Sequence, residues 1–164
     1  KKLEIARKII EARPSSKIIT FSNNIKMAES IGMGGKVFSG RDSKKKGRTT
    51  IEEFSKESSG ILHTVRKADE GLDVPGLSVA IILGIDSSKI RKVQRIGRVV
   101  RKEGDKKAEI FTLVIDQTVE TEWFKKSNNS TSVVTIDEDR LNEVLAGREP
   151  KPYVKRIKDF TFRY

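Results

Sequence analysis

Gln94, Arg98 and Arg101 recur at i, i+4 and i+7, so a helix would carry all three on one stripe. Ile90, Val93, Ile96, Gly97 and Val100 give that helix an inner face, and Arg91 and Arg95 complete the outer one. A guanidinium stays charged and offers a planar fork of donors that matches phosphate oxygens, so the stripe is suited to a phosphate group. On spacing alone it is equally a surface helix with ordinary arginines, since arginine is a good helix former. Upstream, Ser78 to Leu83 (SVAIIL) reads as a parallel strand buried on both faces. A loop bearing Gly71 and Asp73 precedes that strand. Ligands of open α/β sheets bind beyond the carboxyl ends of the strands, so Gly71, Asp73 and the arginines can share one crevice. A second basic group, Arg41, Lys44, Lys45, Lys46 and Arg48, lies in GRDSKKKGR. That stretch reads as a polar loop: either a solvated connection, or one from which Arg41, Lys44 and Lys45 touch a phosphodiester backbone.

Other chemistries lack their residues. IGMGGKVFSG suggests a phosphate-binding loop, but Gly35-Lys36 is followed by Val37 and Ser30 stands where the first glycine belongs, so the segment is expected to be a turn into a strand. A dinucleotide fingerprint fails because Gly32, Gly34 and Val37 occupy its glycine positions. There are no cysteines, and the single histidine, His63, cannot build a metal cluster. His63 sits inside the strand ILHTV without an identifiable nucleophile or carboxylate partner, which makes it a packed or hydrogen-bonded residue.

The elements that position these residues alternate in type. Leu3, Ala6, Ile9 and Ile10 predict an opening helix that Pro14 ends, and Lys17 to Phe21 predict a strand. Ser22, Asn23 or Asn24 caps a helix through Ile31, stopped by Gly32, and Lys36 to Ser39 form the next strand. Thr50 and Glu53 have capping-box spacing and predict a helix that turns Phe54 inward. Gly60 restarts a strand, and another is expected over Ala108 to Ile115. Thr118 caps a short helix with Trp123 and Phe124, where packing is favoured over base stacking. TSVVTI reads as a strand, and Asp137 caps a helix through Ala146 that Gly147 stops. The tail REPKPYVKRIKDFTFRY mixes basic and aromatic residues and fits either an edge strand or a single-strand nucleic-acid contact, the edge strand being favoured.

ADEGLDVP (Ala68 to Pro75) resembles motif V of superfamily 2 helicases, and QRIGRVVR (Gln94 to Arg101) resembles their motif VI. The strand between them matches the family's separation, and KIITFSNNIKMAESI resembles motif IV. The resemblance covers about Lys17 to Phe124 and implies the second RecA-like lobe of a nucleic-acid-dependent ATPase. QRIGR places it nearest bacterial, phage and restriction-type members. It implies that Gln94 positions nucleotide or water, that Arg98 and Arg101 meet the γ-phosphate of ATP held with Mg²⁺ by the other lobe, and that Gly71 and Asp73 approach the nucleotide. Many relatives carry Thr or Ser six residues before the motif V glycine to hold a backbone phosphate. Here Val65 stands there, and the adjacent Thr64 is the remaining candidate. Asp69-Glu70 follows VRKA rather than ending an apolar strand, so it is a motif V pair and not the metal-holding acidic pair of the other lobe.

The expected fold is therefore an α/β, RecA-like parallel sheet with helices on both faces, over residues 1–126, with a small C-terminal extension over 127–164. At 164 residues the chain is too short for two such lobes, and its start on Lys1 suggests a piece of something longer. Alone, without a P-loop or DExx box, it is expected to be inactive. The net charge of +11 favours a polyanionic partner, although basic excess also serves solubility; the expected partner is DNA in preference to RNA. No apolar run approaches a membrane span and the start lacks a signal peptide's apolar core, so a cytoplasmic, unsecreted protein is expected. The function that follows is the C-terminal motor lobe of an ATP-dependent helicase or translocase; the alternative is a non-catalytic, basic α/β module that binds nucleic acid.

Overall fold

The computed structural model describes residues 1–65, 74–84, 108–127 and 134–149. Its centre is the β-branched run KIITFS, which forms β1 (Lys17–Ser22) and is buried at every position. A strand covered on both faces has no polar side to keep, which is why the run lacks alternation. Around it lie β2 (Lys36–Ser39), β3 (Gly60–Val65), β4 (Val79–Ile82) and β5 (Glu109–Thr112) in the order β2-β3-β1-β4-β5. All four pairings are parallel, with Thr20 beside His63 and Ile81, and Val79 beside Glu109. The RecA-like α/β expectation is met.

Helices cover both faces. On one, α1 (Lys2–Glu11) packs with α2 (Ile25–Ile31), and α1 buries Ala6, Ile9 and Ile10. Asn24 caps α2 by accepting the Met27 amide at 2.8 Å, and Gly32 ends it, as its sequence signals predict. On the other face, α3 (Lys44–Lys56) inserts Phe54 among Ile19, Phe21, Phe38 and Leu62. Val74 and Leu77 join the same cluster.

His63 is packed and hydrogen-bonded, as its sequence context predicts. It is fully buried, with Nε2 donating to the Gly32 carbonyl at 2.9 Å and Nδ1 accepting from the Thr20 hydroxyl at 2.8 Å. Its ring also accounts for the glycine-rich turn. A Cβ on Gly35 would lie 2.2 Å from Nε2, so the turn is built for close approach to a side chain rather than for a phosphate.

Two expectations are corrected. Helix α3 begins at Lys44, not after Thr50: Ser43 is its N-cap and accepts the Lys46 amide at 3.2 Å. Thr50 lies inside the helix and donates to the Lys46 carbonyl at 3.0 Å, so no capping box forms. Lysines are good helix formers, and a capping serine before them outweighs the loop-like appearance of a charge run. Second, Val134 to Ile136, the part of TSVVTI among the described residues, are not in a strand: no described residue pairs with them, and a β-branched run cannot form a ladder by itself. The expected strand Ala108 to Ile115 shortens to β5.

The chain divides into two compact units, Lys1–Asn129 and Ser130–Tyr164. In the first, α4 (Val119–Ser127) starts after Thr118, whose hydroxyl accepts the Glu120 amide at 3.3 Å. Trp123 on α4 is partly exposed. In the second, Asp137 caps α5 (Glu138–Leu145) by accepting the Arg140 amide at 2.9 Å, and Gly147 follows at φ +86°. The tail from residue 150 lies outside the described residues. No helix among those described is long and apolar enough to cross a membrane.

Candidate functional site

In a parallel sheet every strand ends on the same edge, so the segments leaving the strands gather there. At this edge β1 ends in Ser22, and the Leu83 and Gly84 amides following β4 both donate to the Phe21 carbonyl, at 2.9 and 3.2 Å. Asn23 lies against Gly84: a Cβ there would be 2.2 Å from its amide oxygen. The chain leaves β1 toward β2 on one side and β4 toward β5 on the other. That divergence is the switch point at which open α/β sheets make their crevice. The Ser22 hydroxyl is buried there with no hydrogen-bond partner among the described residues.

The stretch beginning ADEGLDVP follows β3 and the stretch holding QRIGRVVR follows β4, and these two strands flank β1. Their exits are thus two strand spacings apart, about 10 Å. Gly71, Asp73, Gln94, Arg98 and Arg101 themselves lie outside the described residues.

The β2–α3 turn stands at the same edge. Asp42 accepts the Ser39 amide at 2.8 Å and the Ser39 hydroxyl at 3.2 Å, and pairs with Lys46 at 3.3 Å. The Ser39 amide, above all, holds the Asp42 carboxyl below its ordinary range, with help from Lys46 and against partial desolvation. Arg48 pairs with Glu52 at 3.2 Å. Arg41 and Lys45 are exposed and meet no carboxylate among the described residues. Lys44 is the first residue of α3, whose first turn carries no acidic side chain. Partial positive charge from the unpaired amides of a helix start therefore adds to the lysines rather than being neutralised. A phosphodiester is the kind of group this turn can attract.

Thr64 does not belong with them. It is 1% exposed and its hydroxyl donates to the Thr20 carbonyl at 2.8 Å, so the phosphate contact carried over to it is not offered at the surface. A threonine on a fully covered strand satisfies its hydroxyl on the sheet itself. Among the described residues no group of three His, Cys, Asp or Glu side chains could hold a metal ion.

Sequence reasoning missed the contacts that fasten this frame. Lys2 donates to the Leu83 carbonyl at 2.8 Å and to Glu120 at 2.7 Å. Arg13 grips Glu109 with two bonds, at 2.6 and 2.9 Å. Lys17 is buried and donates to the Ser55 and Pro75 carbonyls at 2.9 and 2.8 Å. These partners are 38 to 118 positions away, and no local pattern marks them.

The comparisons agree with this architecture. The chain is 28% identical over 142 residues to a putative ATP-dependent RNA helicase of Methanocaldococcus jannaschii, covering 77% of this chain and 18% of that protein. It is 29% identical over 121 residues to a DNA 3'-5' translocase of Sulfurisphaera tokodaii, covering 73% and 27%. A putative helicase of Sulfolobus islandicus filamentous virus is 40% identical over 57 residues, covering 35% of this chain and 10% of the viral protein. The chain thus spans only a fraction of the length of the curated relatives it matches. Among solved structures, the helicase domain of Pyrococcus furiosus Hef superposes with a TM-score of 0.57 at 26% identity, covering 77% of this chain and 27% of Hef. The C-terminal domain of the DEAD-box protein Dbp5 does so at 0.68 and 18%, covering 90% and 91%. Residues 1–103 match the helicase conserved C-terminal domain. With that match over more than half its length, on a sheet of the same fold, the chain belongs to the helicase conserved C-terminal domain family, the second RecA-like lobe of superfamily 2 helicases.

Proposed function

We propose that this chain is the nucleotide-responsive second lobe of a superfamily 2 translocase, closing with a P-loop lobe over ATP and Mg²⁺ and opening after hydrolysis. One observation supports the reading: β3 and β4, the strands that precede ADEGLDVP and QRIGRVVR in the sequence, lie on either side of β1 and end at one edge of the sheet. In this proposal Arg98 and Arg101 reach the γ-phosphate, Gln94 orients nucleotide or water, and Gly71 and Asp73 line the approach to the nucleotide. Arg41, Lys44 and Lys45 hold the backbone of the track. Arginine fingers raise phosphoryl-transfer rates by about 10³ to 10⁵, roughly 4 to 7 kcal/mol at the transition state. Alternating closure and release then converts nucleotide state into movement.

One named relative is an RNA helicase and another a DNA translocase, so the chemistry proposed is phosphodiester recognition, which both polymers offer. The motif QRIGR favours bacterial and phage enzymes, whereas the relatives compared come from Methanocaldococcus, Sulfurisphaera and a Sulfolobus virus, and the proposal does not depend on that affiliation. Its setting is the cytoplasm.

Arg98→Ala in the full-length protein is the test. ATP turnover should fall by about 10³ or more while nucleic-acid binding, titrated with both DNA and RNA single strands, is retained. Unchanged turnover would instead favour a non-catalytic binding module that uses only Arg41, Lys44 and Lys45.

A further inference from the structure

Arg41 sits at the tip of a turn that is fastened from both sides. β2 ends in Ser39, which is 6% exposed, and the Asp42 amide donates to the Ser39 carbonyl at 3.2 Å, closing a β-turn over Gly40 and Arg41. The bond is returned, because the Asp42 carboxylate accepts the Ser39 amide at 2.8 Å. The Ser39 hydroxyl donates to the same carboxylate oxygen at 3.2 Å and accepts the Arg41 amide at 3.3 Å. The other Asp42 oxygen lies 3.3 Å from Lys46 Nζ, in the first turn of α3. That helix is itself seated on β2, since a Cβ on Gly47 would lie 2.6 Å from the Phe38 ring.

On charge alone a carboxylate is out of place here. Asp42 stands in the sequence between Arg41 and Lys45, and it repels the phosphodiester proposed as their ligand. Nor does it serve mainly to neutralise Lys46, whose side chain is 74% exposed, so that the attraction is screened by water. The Asp42 side chain is only 15% exposed, because it is turned in toward Ser39. What it supplies is an acceptor on a short stem that reaches back to the amide three positions earlier, a bond that Asp and Asn can make and Ala cannot.

We propose that Asp42 is a positioning residue for nucleic-acid binding: by closing the β2–α3 turn on Ser39 it fixes the backbone at Arg41, so that this guanidinium meets a phosphodiester from a turn already ordered. The inference rests on the phosphate contact of Arg41 proposed above and explains an acidic residue inside a basic turn. Backbone freedom removed on folding is not lost again on binding.

The test compares Asp42→Ala with Asp42→Asn in the full-length protein. Both remove the same charge and release Lys46 alike, and they differ in whether an acceptor remains for the Ser39 amide. Charge alone would tighten both equally. Positioning predicts that Asp42→Ala binds a fluorescent single-stranded oligothymidylate, and an oligouridylate, about three- to tenfold more weakly than Asp42→Asn, a part of the entropy of one freed residue. In an Arg41→Ala background the two variants should bind alike, which a general weakening of the fold would not produce. Equal binding of the two variants with Arg41 present, or a difference that survives Arg41→Ala, would overturn the proposal. If Asp42→Ala does not fold, Ser39→Ala decides: it changes no charge, removes the hydroxyl that holds the Arg41 amide, and should weaken binding only while Arg41 is present. Arg41→Ala alone separates the two readings. If it leaves binding unchanged, the phosphate contact fails and the positioning role with it; if it weakens binding while Asp42→Ala and Asp42→Asn stay equal, the positioning role alone fails.

Discussion

Two sets of cations occupy this lobe and do opposite work. Lys2, Arg7, Arg13 and Lys17, all near the start of the chain, are spent on acceptors of the fold itself, although Arg7 is exposed. Each donates to carbonyls or carboxylates: Lys2 to Leu83 and Glu120, Arg7 to the Ile31 carbonyl at 3.0 Å, Arg13 to Glu109, and Lys17 to Ser55 and Pro75. Arg41 and Lys45, at the β2–α3 turn, are exposed and meet no carboxylate among the described residues. A net charge of +11 counts both sets alike. What separates them is whether the third dimension supplies an acceptor, and that decides which lysines and arginines remain for a ligand.

The contrast is broken most severely at Lys17. Lys17→Met leaves the Ser55 and Pro75 carbonyls without their donor, and a buried polar group so abandoned costs about 1 to 3 kcal/mol. A loss of about 2 to 4 kcal/mol in urea unfolding is expected, within what a domain of about 5 to 15 kcal/mol survives. Next is Arg13→Ala. Its side chain is 19% exposed and that of Glu109 36%. The pair is therefore partly screened, and about 1 kcal/mol is expected. The doubly bonded carboxylate raises the Arg13 pKa, against a smaller opposing effect of burial. Neither substitution should change the salt dependence of nucleic-acid binding. If Arg13→Ala weakened binding as much as folding, the division into two sets would be wrong.

At the exposed turn the pattern should invert. Arg41→Ala with Lys45→Ala should shift unfolding by no more than about 0.5 kcal/mol, as surface changes do. On single strands each lost phosphate contact lowers the slope of log K against log salt by about 0.7, so the pair should lower it by about 1.4. A slope that stays put would mean the turn is solvated and idle.

How much of this was legible in the sequence follows from the range of each signal. The strands β1, β2 and β3 and the helix α2 were readable because a β-branched run, the capping Asn24 and the terminating Gly32 act within a few residues. The start of α3 is hidden because KKKGR looks like a solvated loop; a helix there depends on Ser43 supplying a cap and Asp42 drawing in Lys46. The place of Thr64 in the sequence suggests a phosphate contact, while its burial comes from strands and helices elsewhere in the chain. Lys17 gave no sign at all, since a lysine flanking a strand is ordinary and its partners lie 38 and 58 positions away. The site's frame was legible through motif order around an apolar strand, which sets the two exits; the fastening of that frame was not.

The smallest effect is also the sharpest on burial, because His63 shows when the interior refuses a cation. Lys17 keeps its donors occupied by carbonyls, whereas His63 already uses one nitrogen to donate and the other to accept from Thr20. A protonated ring would force the Thr20 hydroxyl to turn from donor to acceptor and would place a charge in a fully buried site. Burial lowers the His63 pKa below its ordinary 6.5, and the bond to the Gly32 carbonyl only partly opposes this. Below about pH 6.5 the unfolded chain therefore binds a proton that the folded chain declines. Stability present in full above that pH is lost as the pH falls from 6.5 toward the folded value. Asp42, whose pKa is lowered from 3.8, loses its contribution only below that value, so it plays no part between pH 7.5 and 5.5. Urea midpoints at pH 7.5 and 5.5 should fall for the native protein, and His63→Gln, though less stable throughout, should lose that part of the pH dependence. If both proteins fell by the same amount, the loss would belong to surface charge, and a neutral His63 would not be what holds Thr20 to Gly32.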